Sequence, residues 1–104
     1  MNIEDSYIKA LNTVADVTGI TVEDIKGKCR LRYLVDARCM VIMLLLGKGF
    51  TTKDISAQIG VSRRWVQIVI KSFRDRILYS CDDKLRSNWE ESAKQLLSNQ
   101  DTAK

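Results

Sequence analysis

Histidine and proline are both absent from the 104-residue chain, and cysteine and glycine are scarce at three and five residues. Without histidine there is no imidazole general base, no Ser-His or Cys-His nucleophile pair and no histidine-ligated metal. Cys29, Cys39 and Cys81 are odd in number and show no C-x-x-C spacing. They read as reduced thiols used as small apolar fillers, which fits a cytoplasmic protein. No G-x-x-x-x-G-K-[ST] phosphate loop occurs, so nucleotide hydrolysis is not expected. The longest apolar run, Cys39 to Leu46, is eight residues, against the roughly 20 that a membrane span needs. The acidic start, Met1-Asn2-Ile3-Glu4-Asp5, has no signal-peptide pattern. With no clustered carboxylates either, no residue set able to carry catalysis is found, and neither a metal nor a cofactor is expected. The length allows a single small domain, and the 45% apolar share is enough to give it a core.

Charge is unevenly spread along the chain. Residues 1–24 carry a net −4, residues 25–48 a net +5, residues 49–78 a net +4 and residues 79–104 a net −1. The middle half thus holds +9 inside a chain whose total is +4. Such segregation is the footprint of a surface that meets a polyanion, most often nucleic acid, although a merely solvated basic face would look similar. A membrane surface is a poorer match, because the bases are not confined to one amphipathic helix.

Apolar spacing is helical throughout. Tyr7, Ile8, Leu11, Val14 and Ala15 predict an amphipathic helix over about 4–18, closed by Gly19 in a left-handed cap. Thr21 and Asp24 form a variant capping box that opens a short helix bearing Val22 and Ile25 and stopping near Gly27. A basic stretch follows, with Lys26, Lys28, Arg30 and Arg32. Leu31 to Gly47 predicts a long helix that is apolar on most sides and therefore central. Asp82 to Ser98, with Leu85, Trp89, Ala93, Leu96 and Leu97, predicts a terminal helix that packs back on the domain or on a second subunit. The last five or six residues are expected to fray. The expected architecture is all-α, a compact bundle of about five to six helices, with residues 1–80 as the main unit and 81–104 packing on it.

The segment T-K-D-I-S-A-Q-I-G-V-S-R-R-W-V-Q-I-V-I-K, Thr52 to Lys71, has the pattern of a helix-turn-helix. Thr51 or Thr52 caps the first helix, and Ile55 and Ile59 point into the core. Ser56 is small enough for close helix approach, and Gly60 supplies the left-handed turn. Val61 buries in that turn and Ser62 caps the second helix. Val66, Val69 and Ile70 then hold the second helix down. This leaves Arg63, Arg64 and Gln67 on its exposed N-terminal face, with Lys71 and Arg74 beyond. Arginine can bond guanine O6 and N7 in parallel, and glutamine adenine N6 and N7, so these are the expected base readers. Ser62 and Lys71 are expected at the DNA backbone. Trp65 is either a ring on a sugar or thymine methyl, or a partly buried anchor against the preceding helix. The anchor is favoured.

With that order of helices, the stretch from Ala15 to Leu45 resembles the start of the C-terminal DNA-binding domain of the bacterial chromosomal replication initiator, DnaA. The matching motifs are the turn Gly19 to Ile25, the basic loop Lys26 to Arg32 and the helix segment Ala37 to Met43, and the likeness continues to about Arg76. It implies a TrpR-like origin-binding domain whose basic loop reaches the minor groove while its helix-turn-helix reads the major groove. By position, Arg30 would be the minor-groove arginine, and Lys28, Arg32 and Arg38 would bind phosphates around it; Lys26, from the same basic stretch, is also expected at the DNA backbone. Ser62, Arg63, Arg64 and Trp65 fall where that family carries its reading signature, G-G-R-D-H-[ST]-T-V, which this chain lacks. Its turn is one residue shorter and resembles that of an ordinary helix-turn-helix regulator.

The expected partner is double-stranded DNA, with no membrane, bound by a monomer or a weak dimer. The alternative is a protein-interaction module or decoy that acts on a replication or transcription protein without touching DNA.

Overall fold

A computed structural model describes residues 2–27, 31–79 and 83–96, with Arg32 described by its backbone alone. Within these residues the protein is all-α, with six helices and no strand. Helix α1 spans Ile3–Thr18, and Asn2 caps it by accepting from the Glu4 N–H at 3.0 Å. Gly19, at φ 77°, turns the chain out of the helix, as a residue without Cβ does most cheaply. The buried stripe of α1 is Ser6, Ala10, Leu11 and Val14. Ile8, expected on that face, is instead half-exposed, because it lies about 100° round the helix from Tyr7 and at the margin of the stripe.

Helix α2, Val22–Lys26, is a single capped turn: Thr21 Oγ1 accepts from the Asp24 N–H at 3.2 Å, and Ile25 is buried. Helix α3, Arg32–Gly47, is the axis of the molecule. Every residue from Cys39 to Leu45 is buried, and α3 touches all five other helices. A helix that is apolar all round has only one stable place, the centre, with partners on every side.

Helices α4, Thr52–Ile59, and α5, Arg63–Tyr79, follow, and α6, Asp83–Leu96, packs on α1 and α3. The face of α6 that meets the core carries Leu85, Trp89, Ala93 and Leu96. Its Trp89 ring stands edge-on to Phe73 of α5, with centroids 5.5 Å apart. The proposed cap Asp82, the fillers Cys29 and Cys81, and Leu97 lie outside the described residues. No helix of the described residues is long and apolar enough to cross a membrane.

Two arginines lock α5 in place. Arg76 makes a two-pronged pair with Asp36 of α3, its second hydrogen bond being 3.2 Å long. Arg86 of α6 donates from Nε and Nη2 to the Ile77 carbonyl near the end of α5, at 3.2 and 2.9 Å. That carbonyl belongs to the last turn of the helix, where intrahelical donors run out.

Candidate nucleic-acid interface

The junction of α4 and α5 is built almost wholly from short-range hydrogen bonds. Thr51 Oγ1 accepts from the Asp54 N–H at 3.1 Å and opens α4. Gly60 closes α4 at φ 86°, where its N–H and that of Val61 both donate to the Ser56 carbonyl. Nothing lies within 4 Å of where a Cβ on Gly60 would sit, so the turn demands glycine for its backbone angle and not for space. Ser62 then accepts from the Trp65 N–H at 3.1 Å through its hydroxyl, and from the Val66 N–H through its carbonyl. Three residues, Gly60, Val61 and Ser62, thus separate the end of one helix from the start of the next.

Ser56 is buried, and its hydroxyl is satisfied by the Lys53 carbonyl at 2.9 Å, which allows α5 to lie close. Ile55 is fully buried, while Ile59 and Val61 are only partly covered and sit at the margin of the core. Helix α5 buries Val66, Val69 and Phe73, spaced three and four apart. The opposite side therefore faces solvent. Arg63, Arg64, Gln67, Lys71 and Arg74 are all exposed there, and so is the cap residue Ser62. Arg64, Gln67, Ile68 and Lys71 fall within a sector about 100° wide. No acidic residue occurs from Val61 to Arg74.

Ile68 belongs to this face, 55% exposed, and the reading of the sequence had not singled it out. Its signal was available: an isoleucine four residues after Arg64, on the side away from Val66 and Val69. An exposed apolar side chain between Arg64 and Lys71 is chemically suited to a thymine methyl. Trp65 takes the anchor position, partly buried against the core in the first turn of α5.

Lys26, the last residue of α2, is exposed and lines the same cleft as Gly60, Val61 and Trp65. The start of the basic loop and the start of α5 therefore open on one side of the molecule. Lys28, Arg30 and the side chain of Arg32 lie outside the described residues. Beyond them, Leu31 and Tyr33 are more than half exposed at the head of α3. Tyr33 was also passed over, since helical spacing offered nothing to separate it from the core.

Arg38, expected at a phosphate, is tied to the end of α2. Its Nε donates to the Ile25 carbonyl at 2.6 Å and its Nη2 to the Asp24 carbonyl at 3.3 Å. The reason lies in α2, a single turn in which the Gly27 N–H is shared between the Glu23 and Asp24 carbonyls, so the guanidinium fork adds donors to the Asp24 and Ile25 carbonyls at its end. Arg38 thereby ties α3 to the end of α2.

Residues 32–78 match a family model of helix-turn-helix type, the homeodomain-like domain. The match covers α3, α4 and all but the last residue of α5, and it supports a helix-turn-helix domain of the general DNA-binding type. The match lends no support to a replication initiator in particular. No curated protein and no solved structure matches the chain.

Proposed function

We propose that the protein is a non-enzymatic, double-stranded-DNA-binding protein that reads the major groove with the first two turns of α5. The observation that carries this is the division of α5: Val66, Val69 and Phe73 are spent on the core, and Arg63, Arg64 and Gln67 are left exposed on an acid-free face. Arg63, Arg64 and Gln67 supply bidentate donors and acceptors for base edges. Ser62 and Lys71 flank them at phosphates, and Ile68 offers apolar contact. Lys26, Lys28 and Arg32 neutralise the adjoining backbone, and Arg30 enters the minor groove. Arg38 acts as a positioning residue for that loop.

The finer reading, an origin-binding module akin to that of the replication initiator, rests on the resemblance of Ala15 to Leu45. The different turn and signature residues imply a target other than the initiator's box.

Fluorescence anisotropy with labelled duplexes, random and initiator-box, across a salt series tests both levels. Neutralising about five phosphates gives a slope of log affinity on log salt of about −4 to −5. A slope near −1 overturns the DNA reading, and preference for the box restores the initiator-like one. Binding to neither duplex moves the function to a protein partner.

A further inference from the structure

Between α1, the end of α2, the stretch of α3 from Val35 to Ile42 and the turn before α5, the fold leaves a partly open cleft of about 560 Å³. Interiors of small domains close to within a water molecule almost everywhere, so an opening of this size is a feature of the helix arrangement. Its walls are apolar, from Leu11, Val35, Ile42, Ile59 and Trp65. The charged residues that line it, Lys26 and Arg38, are both basic, and no acidic side chain does so among the described residues. Tyr7 adds a phenol that burial keeps protonated, and so able to donate, above its ordinary range.

We propose that this cleft binds a small amphipathic anion, a compound with an aromatic or branched aliphatic body and one carboxylate or similar oxyanion. The volume lies within the range of small-molecule sites, and so does the pattern of apolar walls with a few polar groups. The apolar body takes the walls. The anion meets Lys26, which is exposed and movable, in the positive field of Arg38, which is held against the α2 carbonyls. A cation would meet two like charges at the same place.

Occupation has a consequence that rests on the DNA reading above. Lys26 begins the basic loop, while Gly60, Val61 and Trp65 set the start of the reading helix, and all four line this cleft. A bound anion withdraws Lys26 from phosphate and so weakens duplex binding. Linkage makes the effect reciprocal, so duplex weakens the anion.

The test uses the full chain and two dyes with one body: 1-anilinonaphthalene-8-sulfonate, which is anionic, and N-phenyl-1-naphthylamine, which is neutral. In a Trp89→Phe background, where Trp65 is the sole reporter, one sulfonate dye binds per chain and quenches it. Lys26→Glu weakens the sulfonate dye about five- to tenfold and leaves the neutral dye within about twofold. Val35→Phe, which fills the cleft, removes both. If Val35→Phe does not fold, the contrast between the two dyes in Lys26→Glu decides alone. Several dyes per chain, or equal affinities for both dyes in wild type and Lys26→Glu, overturn the assignment. Saturating sulfonate dye then lowers duplex affinity in wild type and leaves it unchanged in Val35→Phe. A chain that binds dye as described and no duplex refutes the DNA reading while the cleft stands.

Discussion

Ser92 of α6 is fully buried, and its hydroxyl has no hydrogen-bond partner among the described residues. Replacing it with alanine should therefore stabilise the protein, the reverse of what most core substitutions do. A buried hydroxyl left unpaired costs about 1–3 kcal/mol. Alanine is also the better helix former by about 0.5 kcal/mol. Against this stands the void left by one oxygen, which is smaller than a methyl group and takes back well under about 1 kcal/mol. The net is a gain of about 1–2 kcal/mol, or a rise in Tm of roughly 5–10 °C for a domain of this size. Ser56 is the control. It too is buried in a helix, but its hydroxyl donates to the Lys53 carbonyl at 2.9 Å. The propensity gain is common to both sites, so the difference between Ser92→Ala and Ser56→Ala isolates the unpaired hydroxyl. Thermal melts followed by far-ultraviolet circular dichroism, with urea titrations beside them, give the comparison. A fall in Tm for Ser92→Ala refutes the reasoning, and an equal rise for Ser56→Ala reduces it to helix propensity.

Three further outcomes are expected. The Asp36–Arg76 pair is only 17% and 24% exposed, so a double-mutant cycle with alanine at both positions should give a coupling of about 1–2 kcal/mol; a value near zero would place the pair with ordinary surface ion pairs. Burial, with the Asp36 carboxylate close by, raises the Cys39 thiol from 9.0 to about 11. The folded state then holds its proton while the unfolded chain loses it, so stability is complete below pH 9 and falls by up to about 2–3 kcal/mol as pH rises through 11. Tyr7, raised in the same direction by burial, contributes to that fall. Urea titrations of Cys39→Ala at pH 7 and pH 10 should show a smaller loss than wild type, and an identical loss would contradict the burial argument. Arg63→Ala should cost about 1–3 kcal/mol on the preferred duplex and flatten sequence preference, whereas Lys28→Ala should weaken all duplexes alike and reduce the salt slope by about one. Anisotropy on selected and random duplexes separates the two.

Much of this architecture can be read from residue spacing, because its helices are marked by local chemistry. Gly19 and Gly60, each at positive φ, and Thr21, Thr51 and Ser62, each accepting from the N–H three residues on, act within a few residues of their own position. The buried run from Cys39 to Leu45 likewise announces a central helix from composition alone. The features that spacing does not reveal are long-range. Asp36 and Arg76 are 40 residues apart, and Arg38 reaches carbonyls 13 and 14 residues back. Nothing in the one-dimensional pattern separates an arginine committed to a carbonyl from one offered to a phosphate. Ile68 and Tyr33 are exposed apolar residues of another kind: spacing places Ile68 on the face of α5 away from Val66 and Val69, whereas nothing in it separates Tyr33 from the core.

The most direct test of the DNA-reading face is amide chemical-shift mapping of this 11.9 kDa protein during titration with duplex. The account predicts that shifts concentrate on Ser62 to Lys71 and on residues 26–33, with Glu90 and Lys94 on the outer side of α6 unmoved. Shifts centred on α6, or none in the first two turns of α5, would contradict it.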